Sequence, residues 1–197
     1  MFRYLPRTLA AVAVLALPGA LAAQEQQHAF FIGVYGGGAS QLTKLSASGT
    51  PSVDFKPGWS LGGTAGFDVS RYFGVHGDFT YTNAQARGAT TFAGVTFRRF
   101  YYGAHLEARY PLSTGFTPYL FAGGGAVTIN QTSGTEVGVF TKPAMMYGLG
   151  FSYQLPHSPL GLFIEGKNMV YKWDQGGFNR TMVDLAYVGG LSYRFPF

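Results

Sequence analysis

Three stretches of the chain alternate strictly between apolar and small or polar side chains, and a period of two restricts them to extended strands with unlike faces. The first sets Phe73, Val75, Gly77, Phe79 and Tyr81 against Gly74, His76, Asp78, Thr80 and Thr82. The second sets Phe100, Tyr102, Ala104, Leu106, Ala108 and Tyr110 against Tyr101, Gly103, His105, Glu107 and Arg109. The third sets Val183, Leu185, Tyr187, Gly189, Leu191, Tyr193, Phe195 and Phe197 against Met182, Asp184, Ala186, Val188, Gly190, Ser192, Arg194 and Pro196. Each is long enough for a lipid-crossing strand, which needs about 9–11 residues with one apolar face. Five further segments, 30–38, 59–69, 118–129, 145–155 and 160–170, follow the pattern less strictly. In each, one face is aromatic or aliphatic and the other is glycine, small or polar, with Leu120 and Phe163 as exceptions. The total is eight, an even number, as single-chain bacterial barrels require.

Composition decides which solvent the apolar faces meet. Charged residues make up 12% of the chain and aromatics 17%, with 29 glycines, whereas a soluble domain carries about 25% charged residues. No stretch reaches the roughly 20 apolar residues of a spanning helix, and the other structure that satisfies its backbone in lipid is a closed barrel. A soluble lipocalin-like barrel is the rival. Against it, aromatics cluster near the predicted strand ends: Trp59, Tyr81, Phe100 and Tyr147 at one, and Phe67, Phe73, Tyr110, Tyr119, Tyr153 and Phe197 at the other. Two such belts are what membrane interfaces favour. The expected fold is therefore all-β, an eight-stranded antiparallel up-and-down transmembrane β-barrel. Its expected connections alternate between short turns (70–71, 111–117, 156–159) and longer loops (39–58, 83–99, 130–144, 171–181), matching short periplasmic turns and long outer loops.

The N-terminus indicates export. Arg3 and Arg7 precede a run of about ten apolar residues from Thr8 to Leu17, then Pro18-Gly19 and the small residues Ala20-Leu21-Ala22-Ala23, the order of a secretory signal. Residues 1–23 are expected to be a cleaved signal peptide and 24–197 the barrel domain. Losing Arg3 and Arg7 takes the formal charge from +5 to +3. The absence of cysteine excludes disulfides, thiolate metal sites and thiol nucleophiles. The expected location is the outer membrane of a Gram-negative-type bacterium, with both termini periplasmic.

The last five residues, Tyr193-Arg194-Phe195-Pro196-Phe197, resemble the C-terminal assembly signal of bacterial outer-membrane proteins. That resemblance implies recognition of Tyr193, Phe195 and Phe197 by the barrel-assembly machinery; Pro196 departs from the usual pattern. The run Pro118-Tyr119-Leu120-Phe121-Ala122-Gly123-Gly124-Gly125 resembles the fifth-strand motif of the OmpA-like and opacity-type outer membrane protein β-barrel superfamily. Some members of that superfamily carry a peptidoglycan-binding domain; this chain is expected to be the barrel alone, a monomer in outer-membrane lipid and lipopolysaccharide.

Ten charged or titratable residues are expected to face the lumen: Asp68, His76, Asp78, His105, Glu107, Arg109, Glu165, Lys167, Asp184 and Arg194. Eight strands enclose an interior that side chains can fill, and buried charges need partners, so a paired plug is favoured over a gated polar pathway. His76-x-Asp78 and His105-x-Glu107 each put an imidazole and a carboxylate on one strand face, as a hydrolytic dyad would. Both fall in the half of the barrel away from the outer mouth, where omptin-type hydrolases work. The His-x-Ser pair of lipid A deacylases is absent, and no complete catalytic arrangement assembles. Glycine runs 36–38 and 123–125 lack the GK[ST] of a phosphate loop and suit strand curvature. The outer loops and rims carry an excess of cations over acids, among them Arg98, Arg99, Lys142 and Arg180, candidates for lipopolysaccharide phosphate contact. Neither a cofactor nor a nucleic-acid partner is expected. The resulting expectation is a non-catalytic barrel with a structural and surface-contact role through four extracellular loops. A narrow solute passage and a lipid-modifying enzyme are the alternatives.

Overall fold

The computed structural model describes residues 29–44, 52–87, 94–133, 136–174 and 179–196. The signal segment and Phe197 lie outside the described residues. Nine strands follow in order: β1 (Ala29–Gln41), β2 (Asp54–Phe55), β3 (Gly58–Asp68), β4 (Phe73–Arg87), β5 (Thr96–Arg109), β6 (Phe116–Ser133), β7 (Glu136–Gln154), β8 (Leu160–Trp173) and β9 (Arg180–Pro196). The eight long strands pair antiparallel with their chain neighbours, and β9 returns to β1 from Ala29↔Pro196 to Gln41↔Asp184. The sheet closes on itself, so no long strand is left as a free edge along the barrel body. β2 adds two residues to the far end of β4, opposite Ala86 and Arg87. The barrel is thus the expected closed eight-stranded up-and-down fold. Pro196, which cannot donate to a ladder, sits at the last rung of the closing pair.

The outward faces are apolar. Leu61, Leu106, Leu120, Leu149, Ile164 and Leu191 are each more than half exposed, which water would penalise and lipid tails do not. Rings flank this band. Tyr81 packs between Trp59 and Phe100 at centroid distances of 5.0 and 4.8 Å, on the side of the long hairpins. Phe30 meets Phe67 and Phe195, and Phe116 meets Tyr153, on the side of the short turns. These sides are called the hairpin end and the turn end.

Two expectations are corrected. β6 turns the other way: Tyr119 and Phe121 point into the lumen and Leu120 points out, so Tyr119 does not belong to the outer belt. The space comes from the next strand. A Cβ on Gly150 would lie 2.5 Å from the Tyr119 ring, and one on Gly148 the same distance from Phe121. Tyr35 lies over Gly62, and Phe163 over Gly190, in the same way. Inner glycines therefore make room for inner aromatics. The β6–β7 hairpin is also longer than expected, since strand pairing continues to Ser133↔Glu136 through the expected loop at 130–144. At about 3.4 Å per residue, β7 reaches well past a lipid band that needs about 9–11 residues. From the girdle outward the outer face need not be apolar, as the paired hydroxyls of Thr128 and Thr141 at 2.8 Å illustrate.

An apolar core fills the lumen toward the hairpin end. Phe97 packs on Phe55 and Trp173, and Trp173 on Phe140. Val53 and Phe55 reach this core from the β1–β3 connection, both buried. β2 thus straps an apolar plug across the mouth.

Candidate functional site: the charged interior

Below that plug the lumen holds three layers of charge. In the middle layer, Lys167 on β8 is 1% exposed. Its ammonium donates to Asp78 at 2.9 Å and to the Tyr35 hydroxyl at 3.1 Å, and pairs with Glu165 at 2.8 Å. The Tyr35 hydroxyl and Thr80 both donate to Asp78, and Tyr119 donates to Glu165 at 3.1 Å. Lys167 also lies 4.1 Å from the Tyr35 ring centre, a cation–π contact strengthened by desolvation. Alternation explains the placement: Glu165 and Lys167 are two apart on one face of β8, and β1 and β4 present Tyr35 and Asp78 from across the lumen.

In the turn-end layer, Asp68 ends β3 as the hub. Arg109 binds it, Arg194 Nε lies 3.5 Å from it and His76 Nε2 3.3 Å. Arg109 Nε also lies 3.0 Å from Glu107, whose second oxygen is 3.5 Å from His76 Nδ1. Gly74 leaves the space that the Arg109 guanidinium occupies. His105 faces His76 across the β4–β5 pair. A small cavity of about 20 Å³, room for an ordered water, is lined by His76, His105, Glu107, Glu165 and Arg194.

In the third layer, toward the hairpin end, Tyr101 donates to Asp184, and Arg99 Nε lies 3.5 Å from the same carboxylate. Arg99 stacks over Phe55 and Phe97 at 5.3 and 5.6 Å. Across the three layers five carboxylates (Asp68, Asp78, Glu107, Glu165, Asp184) meet four fixed cations (Arg99, Arg109, Lys167, Arg194). Among the described residues, the inward carboxylates thus outnumber the fixed cations by one.

All ten residues expected in the lumen point inward. Of the four expected at lipopolysaccharide, Arg98 and Arg180 are exposed at the hairpin end. The other two are corrected. Arg99 is 1% exposed inside the barrel, because β5 begins at Thr96 and its inner face runs Phe97, Arg99, Tyr101. Lys142 lies on the inner face of β7 at the mouth, ion-paired with Asp174. That partner holds the Asp174 carboxyl below its usual range, and Lys44 does the same to Asp54. A lowered carboxylate pKa contributes stability above the ordinary range near pH 4, lost as pH falls further. Both pairs are solvated, so the effect is small. The hydroxyls of Tyr35, Tyr119 and Tyr171 were missed; their signal is a tyrosine at an inner position facing glycine or charge.

A closed barrel with an apolar belt outside and paired charges inside defines a transmembrane β-barrel. The model of the Outer membrane protein beta-barrel domain family matches residues 13–196, and the chain belongs to that family. The family resides in the outer membrane of Gram-negative cells, so the apolar belt meets that membrane's lipid. No curated protein matches the sequence. Among solved structures, Neisserial surface protein A is similar with a TM-score of 0.61 at 17% identity, over 85% of this chain and 99% of that one. OprG from Pseudomonas aeruginosa gives 0.57 at 15%, over 86% and 96%. Ail of Yersinia pestis, in complex with the heparin analogue sucrose octasulfate, gives 0.52 at 16%, over 86% and 99%. Identities this low carry the fold alone.

Proposed function

We propose that the protein is a non-catalytic structural barrel, closed to ions, that meets the cell's surroundings through its hairpin end. The observation that carries this is the Lys167 layer, a buried ion-paired belt across a lumen too narrow for both side chains and a water column. Planar-bilayer recording tests it. The purified protein should show no steady current, and a stable open channel would replace this function with solute passage. His76 and His105 lie on the turn-end side of the apolar plug, away from the mouth that meets the cell's surroundings, which supports the absence of catalysis there. Purified lipid A should be recovered without deacylation or acyl transfer after incubation with the protein.

In this proposal the turn end, with both termini, faces the periplasm. A tag at Thr114 should become reachable only after the outer membrane is opened, and labelling on intact cells would reverse the orientation. Residues 1–23 act as the cleaved export signal, and N-terminal sequencing of the mature protein should begin at Ala23 or Gln24. Tyr193, Phe195 and Phe197 serve the assembly machinery. Deleting Phe197 should leave protein in the periplasm, and normal levels of heat-modifiable barrel would remove that role. The barrel works as a monomer.

The surface contact is with anionic saccharide. Arg98 points outward from β5 two residues beyond the aromatic girdle at Phe100, the height of lipopolysaccharide phosphates. Sulfate groups on the ligand of Ail are similar in charge. Arg98→Ala should weaken lipopolysaccharide binding about two- to fivefold, the scale of one exposed ionic contact. Unchanged binding would remove Arg98 from the contact.

A further inference from the structure

We propose that His76, His105 and Glu107 form a binding site for a borderline divalent transition metal, with zinc the best fit. One atom from each lies within 4.8 Å of the others. Bonds of about 2.0–2.2 Å in a tetrahedron put ligand atoms roughly 3.3–3.5 Å apart, so the widest gap has to close by about 1.5 Å, shared between rotating side chains. Two imidazoles and one carboxylate favour zinc, cobalt or nickel over magnesium and calcium.

Three independent features point to a cation here. First, the ligands have a supporting shell. Asp68 lies 3.3 Å from His76 Nε2; accepting that N–H leaves Nδ1 as the free lone pair. Phe31 stacks on the ring at 5.0 Å, and Arg109 holds the other oxygen of Glu107. Carboxylates behind ligating histidines are the usual means of fixing tautomer and ring orientation. With that tautomer, His76 Nδ1 and a Glu107 oxygen are two acceptors 3.5 Å apart, and a cation between them would satisfy both. Second, His105 is 6% exposed and its Nδ1 has no hydrogen-bond partner among the described residues, although a buried polar atom normally has one. Third, among the described inward residues five carboxylates face four fixed cations, so an added cation meets a net excess of acids.

The site has room for a fourth ligand and a way in. The small cavity lined by all three residues has room for a water as fourth ligand. Arg194, whose side chain is 29% exposed, also lines it, so the cavity lies beside the solvent at the turn end. The same residues would hold a doubly protonated His76 in place of a metal, and binding measurements separate the two.

The untagged full barrel in detergent is titrated with Co²⁺ and with Zn²⁺ against a chromophoric chelator. The expected result is one metal per barrel, a visible Co²⁺ absorption of tetrahedral type, and no competition from Mg²⁺ or Ca²⁺. His105→Gln and His76→Gln should weaken binding by roughly 100-fold or more, beyond the 10–100-fold of an outer-shell change. His157→Gln, in a turn at the barrel's edge, should bind as wild type does. If His76→Gln fails to give the heat-modifiable folded form, His105→Gln decides, because its Nδ1 makes no hydrogen bond to lose. Absence of the cobalt band, or undiminished affinity in folded His105→Gln, overturns the site and assigns the missing charge to a proton on His76.

Discussion

Replacing Lys167 with alanine should lower the unfolding free energy of the barrel by about 3–5 kcal/mol, the usual cost of removing one partner from a buried ion pair. Asp78 and Glu165 would be left facing each other in a space that water does not fill. Glu165→Ala should cost less, because Lys167 keeps Asp78 at 2.9 Å and the Tyr35 hydroxyl at 3.1 Å. Urea unfolding followed through Trp59 and Trp173 fluorescence measures both. The ordering matters as much as the size: Lys167 is shared by two carboxylates, and each carboxylate has a tyrosine besides. A Lys167→Ala midpoint equal to that of wild type would mean that water enters the layer, and would weaken the case for a closed lumen.

Phe97→Ala should cost a similar 3–5 kcal/mol, by a different mechanism. Its ring fills the plug between Phe55 and Trp173 and lies beneath the Arg99 guanidinium. Alanine leaves a cavity lined by apolar residues and removes the ring that Phe55 of the β2 strap packs on. The bilayer current should nevertheless stay at the wild-type level, because the Lys167 layer seals the barrel independently. A variant that is destabilised and also conducts would show that the plug is the seal. Lys167→Ala and Phe97→Ala therefore test separate barriers.

The strand faces were legible where the two sides of a strand meet unlike surroundings. On β4, β5 and β9 one face carries rings and the other carries Asp78, Glu107 or Asp184, so alternation alone assigns inside and outside. On β6 both faces are apolar, Tyr119 and Phe121 against Leu120 and Ala122, and period two does not distinguish them. The register with β7 does, by setting Gly148 and Gly150 beside the two rings. Past the lipid, alternation fades because neither face needs to be apolar. That is why Arg99 and Lys142 read as loop cations although their strands carry them inside. Eight strands, lipid outside and charge inside were thus determined by the sequence, because each strand buries one face whatever its neighbours are. The inward turn of β6, the Lys167 layer, the apolar plug and the meeting of His76, His105 and Glu107 were decided by the tertiary structure. They depend on register and closure, which bring together residues far apart in the chain.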